Sequence, residues 1–344
     1  MNYINIFLVI IIVLLFTYIC YKFVSIRNQS CNNTLSKIMI TKPTEITNCN
    51  ENYHDYTINQ FCIKSSYNSA YTGSCMNIET IPYLLTRGVR FLDFGVYGTS
   101  IPMVANSSDT SDEESLYLQD IFNIILQNAF NSSSSPNPDD PLFIHLRIYA
   151  GDNALYNIIG KIIKTTFDKK LYDTYVTNDT KLSAIRERVI IVMDKSIYPK
   201  FVNYTKCESE TNCDNLDKYI NIYSGTTNII TDTYPKIIEQ NTTPPRNVSD
   251  SDNCLSYDGT TKLILKMAVP DITDSSLDLT ILYSLIQNYG VQIILCSFYN
   301  HFTVELYENI FERGKSAFTL LSRNITYIKD NPIPRETSLF HVIS

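Results

Sequence analysis

Eight short apolar runs, separated in several places by amphipathic helical patterns, set the narrowest limit on what this chain can fold into. The runs are 61–66 (FCIKSS), 89–97 (VRFLDFGVY), 101–105 (IPMVA), 142–149 (LFIHLRIY), 188–194 (RVIIVMD), 219–224 (YINIYS), 262–269 (KLILKMAV) and 291–298 (VQIILCSF). Between them, apolar residues recur at three- and four-residue spacing over 114–130, 153–167, 276–289 and 302–313, which predicts helices. Parallel strands covered by helices follow. Eight near-continuous buried strands predict an α/β fold closed as a (β/α)8 TIM-type barrel, although the gap between 97 and 101 lacks room for a helix. Segments 106–113, 131–140 and 231–258 are polar and turn-rich, and read as surface loops.

The chain divides into an N-terminal apolar segment (1–24), a stalk (25–57), the barrel (58–330) and a tail (331–344). Its 344 residues, 44% hydrophobic and 18% charged, suffice for a large core. A net charge of −7 without any Lys/Arg cluster argues against a nucleic-acid partner. Trp is absent while Asn, Ile and Tyr abound, a bias of AT-rich genomes such as those of protists or large viruses.

Residues 4–24 (INIFLVIIIVLLFTYICYKFV) carry only Asn5 and Lys22 as strongly polar interruptions, and roughly twenty helical residues span a bilayer's hydrocarbon core. No basic residue precedes the run and no small-x-small site follows, so an uncleaved anchor in a lipid bilayer is expected. The side of the membrane stays open. Lys22 near the end of the run and Arg27, Lys37 and Lys42 after it favour a cytoplasmic barrel. Sequons beginning at Asn28, Asn32, Asn106, Asn131, Asn178, Asn203, Asn241, Asn247 and Asn324 favour a glycosylated, lumenal one. Outside the apolar run stand Cys31, Cys49, Cys62, Cys75, Cys207, Cys213, Cys254 and Cys296, an even set compatible with disulfides but with no pairing implied.

Four segments, CIKSSYNSAYTG, GVRFLDFGVYG, IPMVANSS and DPLFIHLRIY, are similar in order and spacing to the X region of phosphatidylinositol-specific phospholipase C. RVIIVMDKS and YGVQIILCSFYN resemble that family's later strands, so the likeness runs over roughly 58–325. The resemblance implies a TIM-type barrel that cleaves a phosphodiester by acid–base chemistry. One histidine takes the proton of the inositol 2-hydroxyl, another protonates the leaving oxygen, and calcium or an arginine steadies the phosphate.

Carried over by position, the first histidine falls on Tyr67 and the second on Asn106. A phenol with a pKa near 10 and an amide that does not titrate cannot shuttle protons near neutrality. Of the calcium positions, Asn68 is kept, Asp93 replaces a glutamate, Gly95 an aspartate and Arg147 a second glutamate, so no calcium or other cofactor is expected. Arg147 with Lys195 either holds an anionic phosphate, as in the calcium-independent branch of the family, or pairs with Asp93 as a structural ion pair. His145 lies on the same strand face as Arg147 but deeper, where a hydrogen-bonded core histidine is expected, and His301 follows the last strand at the end where such barrels place their sites. Three readings follow. The first is an anchored barrel that has lost hydrolysis and binds an inositol-phosphate headgroup or a protein. The second is a divergent phosphoric diester hydrolase using Arg147, Lys195 and His301, and the third a structural membrane or virion component.

Overall fold

The computed structural model describes residues 10–22, 31, 34, 36, 39, 43–108, 115–149, 153–197, 215–240, 244–247, 255–257, 261–271 and 277–332. Strands β1 (Phe61–Ile63) and β2 (Ser65–Ser66) form one edge-to-edge staple in a ring of parallel strands. On one side β2 pairs with β3 (Phe91–Tyr97), which continues through β6 (Leu142–Ile148), β7 (Val189–Asp194), β8 (Ile222–Ser224), β9 (Ile229–Thr233) and β13 (Leu265–Val269) to β14 (Ile293–Ile294). On the other side β1 pairs with β14 at Ile63 and Ile293, and Ser66 bridges Cys296, which closes the ring.

The pleat sends successive side chains to opposite faces. Along β6, Leu142, Ile144, Leu146 and Ile148 pack outward against helices Leu118–Ala129 and Asn153–Phe167, while Phe143, His145 and Arg147 climb the barrel interior. Along β3, Phe91, Asp93 and Gly95 form the facing column, since Phe91 pairs with Phe143, Asp93 with His145 and Gly95 with Arg147. The lowest layer is apolar, with the Phe91 and Phe143 rings stacked at 5.9 Å. The polar residues sit above it, toward the strand C-termini.

Seven of the eight sequence-predicted strands line the ring, and one does not. The 101–105 run becomes β4 (Met103–Ala105), antiparallel to β3 at Val96 and Tyr97, and it pairs onward with β5 (Ser115–Tyr117) as an outer ribbon. A short apolar triplet after a tight turn can only fold back, because a parallel partner needs a long crossover. Its place in the ring is taken by β9, which begins two residues before the expected loop 231–258 and runs into it, and whose sequence IITDT keeps only Ile229 fully buried. The same loop holds β10 (Pro245–Asn247) and β11 (Leu255–Tyr257), which form a small antiparallel sheet with β12 (Thr261–Lys262) just beyond it. Helices Thr80–Thr86, Leu182–Ile185, Tyr234–Glu239 and Leu321–Asp330, and strand β15 (Phe318–Leu320) antiparallel to β1, were not legible as periodic runs.

The apolar N-terminal run is helical over residues 10–22, about 20 Å of helix at 1.5 Å per residue. No helix among the described residues is long and apolar enough to cross a membrane, so the transmembrane helix expected over 4–24 is not found among them. Cys31 and Cys75 form a disulfide, and Cys207, Cys213 and Cys254 lie outside the described residues.

Candidate functional site

The strand C-termini converge on Asp93, which is completely buried. Just after β2 the chain turns through Asn68 at φ +43°, a left-handed conformation that asparagine tolerates better than most residues. That turn brings the Asn68 amide to donate to Asp93 Oδ2 at 2.9 Å, while the Asp93 amide donates to Ser69 Oγ at 2.8 Å. From the neighbouring strand, Arg147 Nε donates to Asp93 Oδ1 and Nη2 to Oδ2, each at 2.9 Å, a bidentate fork. His145 Nδ1 lies 2.8 Å from Asp93 Oδ1, and its Nε2 lies 2.8 Å from Ser224 Oγ.

Arg147 is nearly spent by these contacts. Nη2 also donates to Asn68 Oδ1 and Nη1 donates to the Tyr149 hydroxyl at 3.0 Å, so four bonds engage the five N–H groups of the guanidinium. The Tyr67 ring covers its carbon at 4.8 Å, and Tyr149 stands at 5.9 Å, itself stacked on Tyr97 at 4.7 Å. Asn68 Nδ2 donates to Asn106 Oδ1 at 2.6 Å. The structure thus joins Tyr67, Asn68, Asp93, Asn106 and Arg147 in one cluster.

Lys195 and His301 are placed elsewhere. Lys195 Nζ lies 4.0 Å from the Tyr223 ring centre, and the Tyr223 hydroxyl is hydrogen-bonded to Asp217. His301 opens the helix His301–Glu312 after β14, and its side chain is outside the described set. Ser69, Tyr149 and Ser224 belong to the site but escaped the sequence reading. Tyr149 could have been found by extending the period-two column from His145 and Arg147 by one step.

Charge balance governs the cluster. Burial pushes the Asp93 carboxyl up, but the Arg147 guanidinium and the His145 hydrogen bond outweigh it and hold the group at about 2. Burial pushes the Tyr67 phenol up as well, against the opposing pull of Arg147. It stays protonated at neutral pH. Because the folded-state value of Asp93 lies below its ordinary 3.8, the unfolded chain binds the extra proton between the two values. The stability from this carboxylate is therefore complete above about pH 4 and is lost as pH falls toward 2. Urea midpoints measured at half-unit steps of pH should decline across that window, and the share owed to Asp93 should vanish in an Asp93→Asn variant.

Asp93, His145 and Ser224 stand in the carboxylate–imidazole–hydroxyl order of a nucleophile relay. All three are completely buried, so the hydroxyl meets no solvent-borne substrate. Above the ion pair, Gly95 has no side chain for a physical reason. A Cβ there would approach the Ala105 carbonyl oxygen to 3.0 Å and Tyr97 Cε2 to 3.2 Å, because the β4 ribbon folds over it. A hard divalent cation wants six or more oxygen ligands. Here one carboxylate is saturated by a guanidinium, one ligand position is a glycine without room and another is the guanidinium itself, so the residues present do not fit calcium.

Among the described residues the cavity over Tyr67, Asn68, Tyr71 and Tyr299 holds only about 10 Å³, and larger ones of about 660 and 300 Å³ are lined by none of the cluster.

Known proteins agree with this architecture. The model of the family "Phosphatidylinositol-specific phospholipase C, X domain" matches residues 54–195. The crystal structure of PLC21 from L. pealei is 16% identical with a TM-score of 0.54, over 78% of this chain and 37% of that one. PLC21 from S. officinalis gives 16% identity and a TM-score of 0.55, over 79% of this chain and 38% of that one. At such identity the likeness is one of fold, and this chain spans little more than a third of either structure's length. No curated protein matches the chain in sequence. The barrel, the order of its motifs and the matched stretch agree, and residues 54–195 belong to the X-domain family of phosphatidylinositol-specific phospholipase C.

Proposed function

We propose that this chain is a membrane-anchored phospholipase C-like barrel that has lost phosphodiester hydrolysis and serves as a binding module for a protein partner at its mouth. One observation carries the reading: the position where the family's chemistry would hold a cation and a phosphate is filled by Arg147, closed on Asp93, Asn68 and Tyr149. A phosphate oxygen competing for that guanidinium would have to displace a buried carboxylate. Ligand pockets usually enclose roughly 300–1,000 Å³. The cavity lined by Tyr67, Asn68, Tyr71 and Tyr299 encloses only about 10 Å³, which favours a protein over a headgroup as ligand.

The anchor is supported by exposure. Ile10, Ile12, Leu14, Leu15, Phe16, Tyr18 and Ile19 are each at least half exposed, so the helix over 10–22 packs on no part of the barrel. Its apolar surface needs lipid.

The test uses the full chain in mild detergent, titrated with myo-inositol 1-phosphate by calorimetry and assayed on phosphatidylinositol in mixed micelles. The proposal expects no saturable heat up to millimolar ligand and no water-soluble phosphate released. Saturable binding weakened by Lys195→Ala would instead identify a headgroup site. Release above protein-free micelles, abolished by His301→Ala, would identify a divergent phosphodiesterase.

A further inference from the structure

The cysteines sort by environment. Cys31, shortly past the apolar helix, is bridged to Cys75 across 44 residues of sequence, with the Cα atoms 5.9 Å apart. Cys75 closes the loop that begins at Tyr67: Thr72 Oγ1 donates to the Cys75 carbonyl at 3.0 Å, Ser74 Oγ donates to Thr34 Oγ1 at 3.3 Å, and Tyr71 in that loop meets the Tyr299 ring at 5.4 Å. The unbridged Cys49, Cys62 and Cys296 are sealed, at 4%, 3% and 0% exposure. Burial pushes the Cys49 and Cys62 thiols up to about 12, so they offer almost no thiolate for exchange. Outside the apolar helix, every described cysteine is therefore either paired or shielded from oxidants. That is the pattern of a protein that folds where disulfides persist.

The sequons differ in burial. Asn106 and Asn131 are exposed, whereas Asn324 is buried and its Nδ2 donates to Thr319 Oγ1 at 2.9 Å. A glycan on Asn324 is incompatible with this packing.

We infer that the barrel stands on the oxidising, lumenal or extracellular side of the membrane, and that Cys31–Cys75 is a covalent strap holding the mouth loop to the stalk of the anchor. The inference rests on the anchor proposed above and decides between the basic flank and the sequons, which pull opposite ways. Residues 22 and 31 are separated by at most about 30 Å of chain, so the strap keeps the mouth loop within that distance of the helix end. Closing the bridge joins the two sulfurs and removes two protons and two electrons. The electrons pass by exchange to a protein or glutathione disulfide of that compartment.

The full chain translated with microsomes tests the inference through three readouts: alkaline carbonate extraction, glycosidase-sensitive mass and a non-reducing peptide map. Expected are retention in the membrane, a glycan ladder that loses one step in Asn131→Gln, unmodified Asn324 and a linked Cys31–Cys75 peptide. A chain that stays in the membrane yet lacks glycans and has both cysteines open to maleimide overturns the inference and leaves the anchor standing. A glycosylated, bridged chain released by carbonate retains the oxidising compartment and removes the anchor instead.

Discussion

Replacing Arg147 with leucine is expected to cost about 3–5 kcal/mol of folding stability, roughly two to four powers of ten in the folding equilibrium. The leucine fills much of the space but leaves Asp93 with no cation, at zero exposure, holding only the Asn68 amide and His145. A carboxylate in that position either stays charged without a counter-ion or takes up a proton near neutrality, and both outcomes drain stability. Asp93→Asn should be harmful for the mirror reason, since the buried guanidinium then faces a neutral amide. The double variant Arg147→Leu with Asp93→Asn should lose less than the two singles summed, with a coupling of roughly 0.5–3 kcal/mol. Arg147→Lys keeps the charge and loses the fork, so it should fall between wild type and leucine. Urea unfolding of the full chain in detergent measures all four. Single variants that each cost under about 1 kcal/mol would show that the cluster does not hold the barrel mouth together.

The second large effect is on turnover. A positioned acid or base contributes about 10²–10⁴ in rate, and on the proposed reading a stacked phenol, Tyr67, and an exposed amide, Asn106, stand where the resemblance implies both. Turnover of phosphatidylinositol is therefore expected to lie at least 10⁴-fold below that of an enzyme of the family with both histidines. Restoring Tyr67→His and Asn106→His should not recover it. The phosphate would still meet a guanidinium committed to Asp93. Adding Arg147→Glu and Gly95→Asp places new carboxylates beside Asp93, while the Cβ at 95 pushes on the Ala105 carbonyl oxygen 3.0 Å away. That quadruple variant is expected to unfold at neutral pH rather than to bind metal.

The sequence disclosed the strands that are buried on both faces, because a parallel barrel strand must be apolar almost throughout. It concealed β9, whose Thr231, Asp232 and Thr233 are only half buried, since nothing apolar marks them. It also misplaced 101–105, because an apolar triplet carries no information about strand direction. The inward column Asp93 and Arg147 was readable from the two-residue period. The register that sets Gly95, not Asp93, opposite Arg147 was not, and that offset makes the arginine reach down one layer to form its fork. The Cys31–Cys75 bridge was hidden for a combinatorial reason: an even set of cysteines admits many pairings, and only proximity in space selects one.

The most direct test is a single-turnover assay with the full chain in molar excess over radiolabelled phosphatidylinositol in vesicles, run with calcium and with chelator. No cyclic or linear inositol phosphate should form faster than in vesicles alone under either condition, with wild type and Arg147→Lys indistinguishable. Product that forms faster with the protein present, and more slowly once Arg147 or Lys195 is replaced, would mean that the barrel still works as an enzyme.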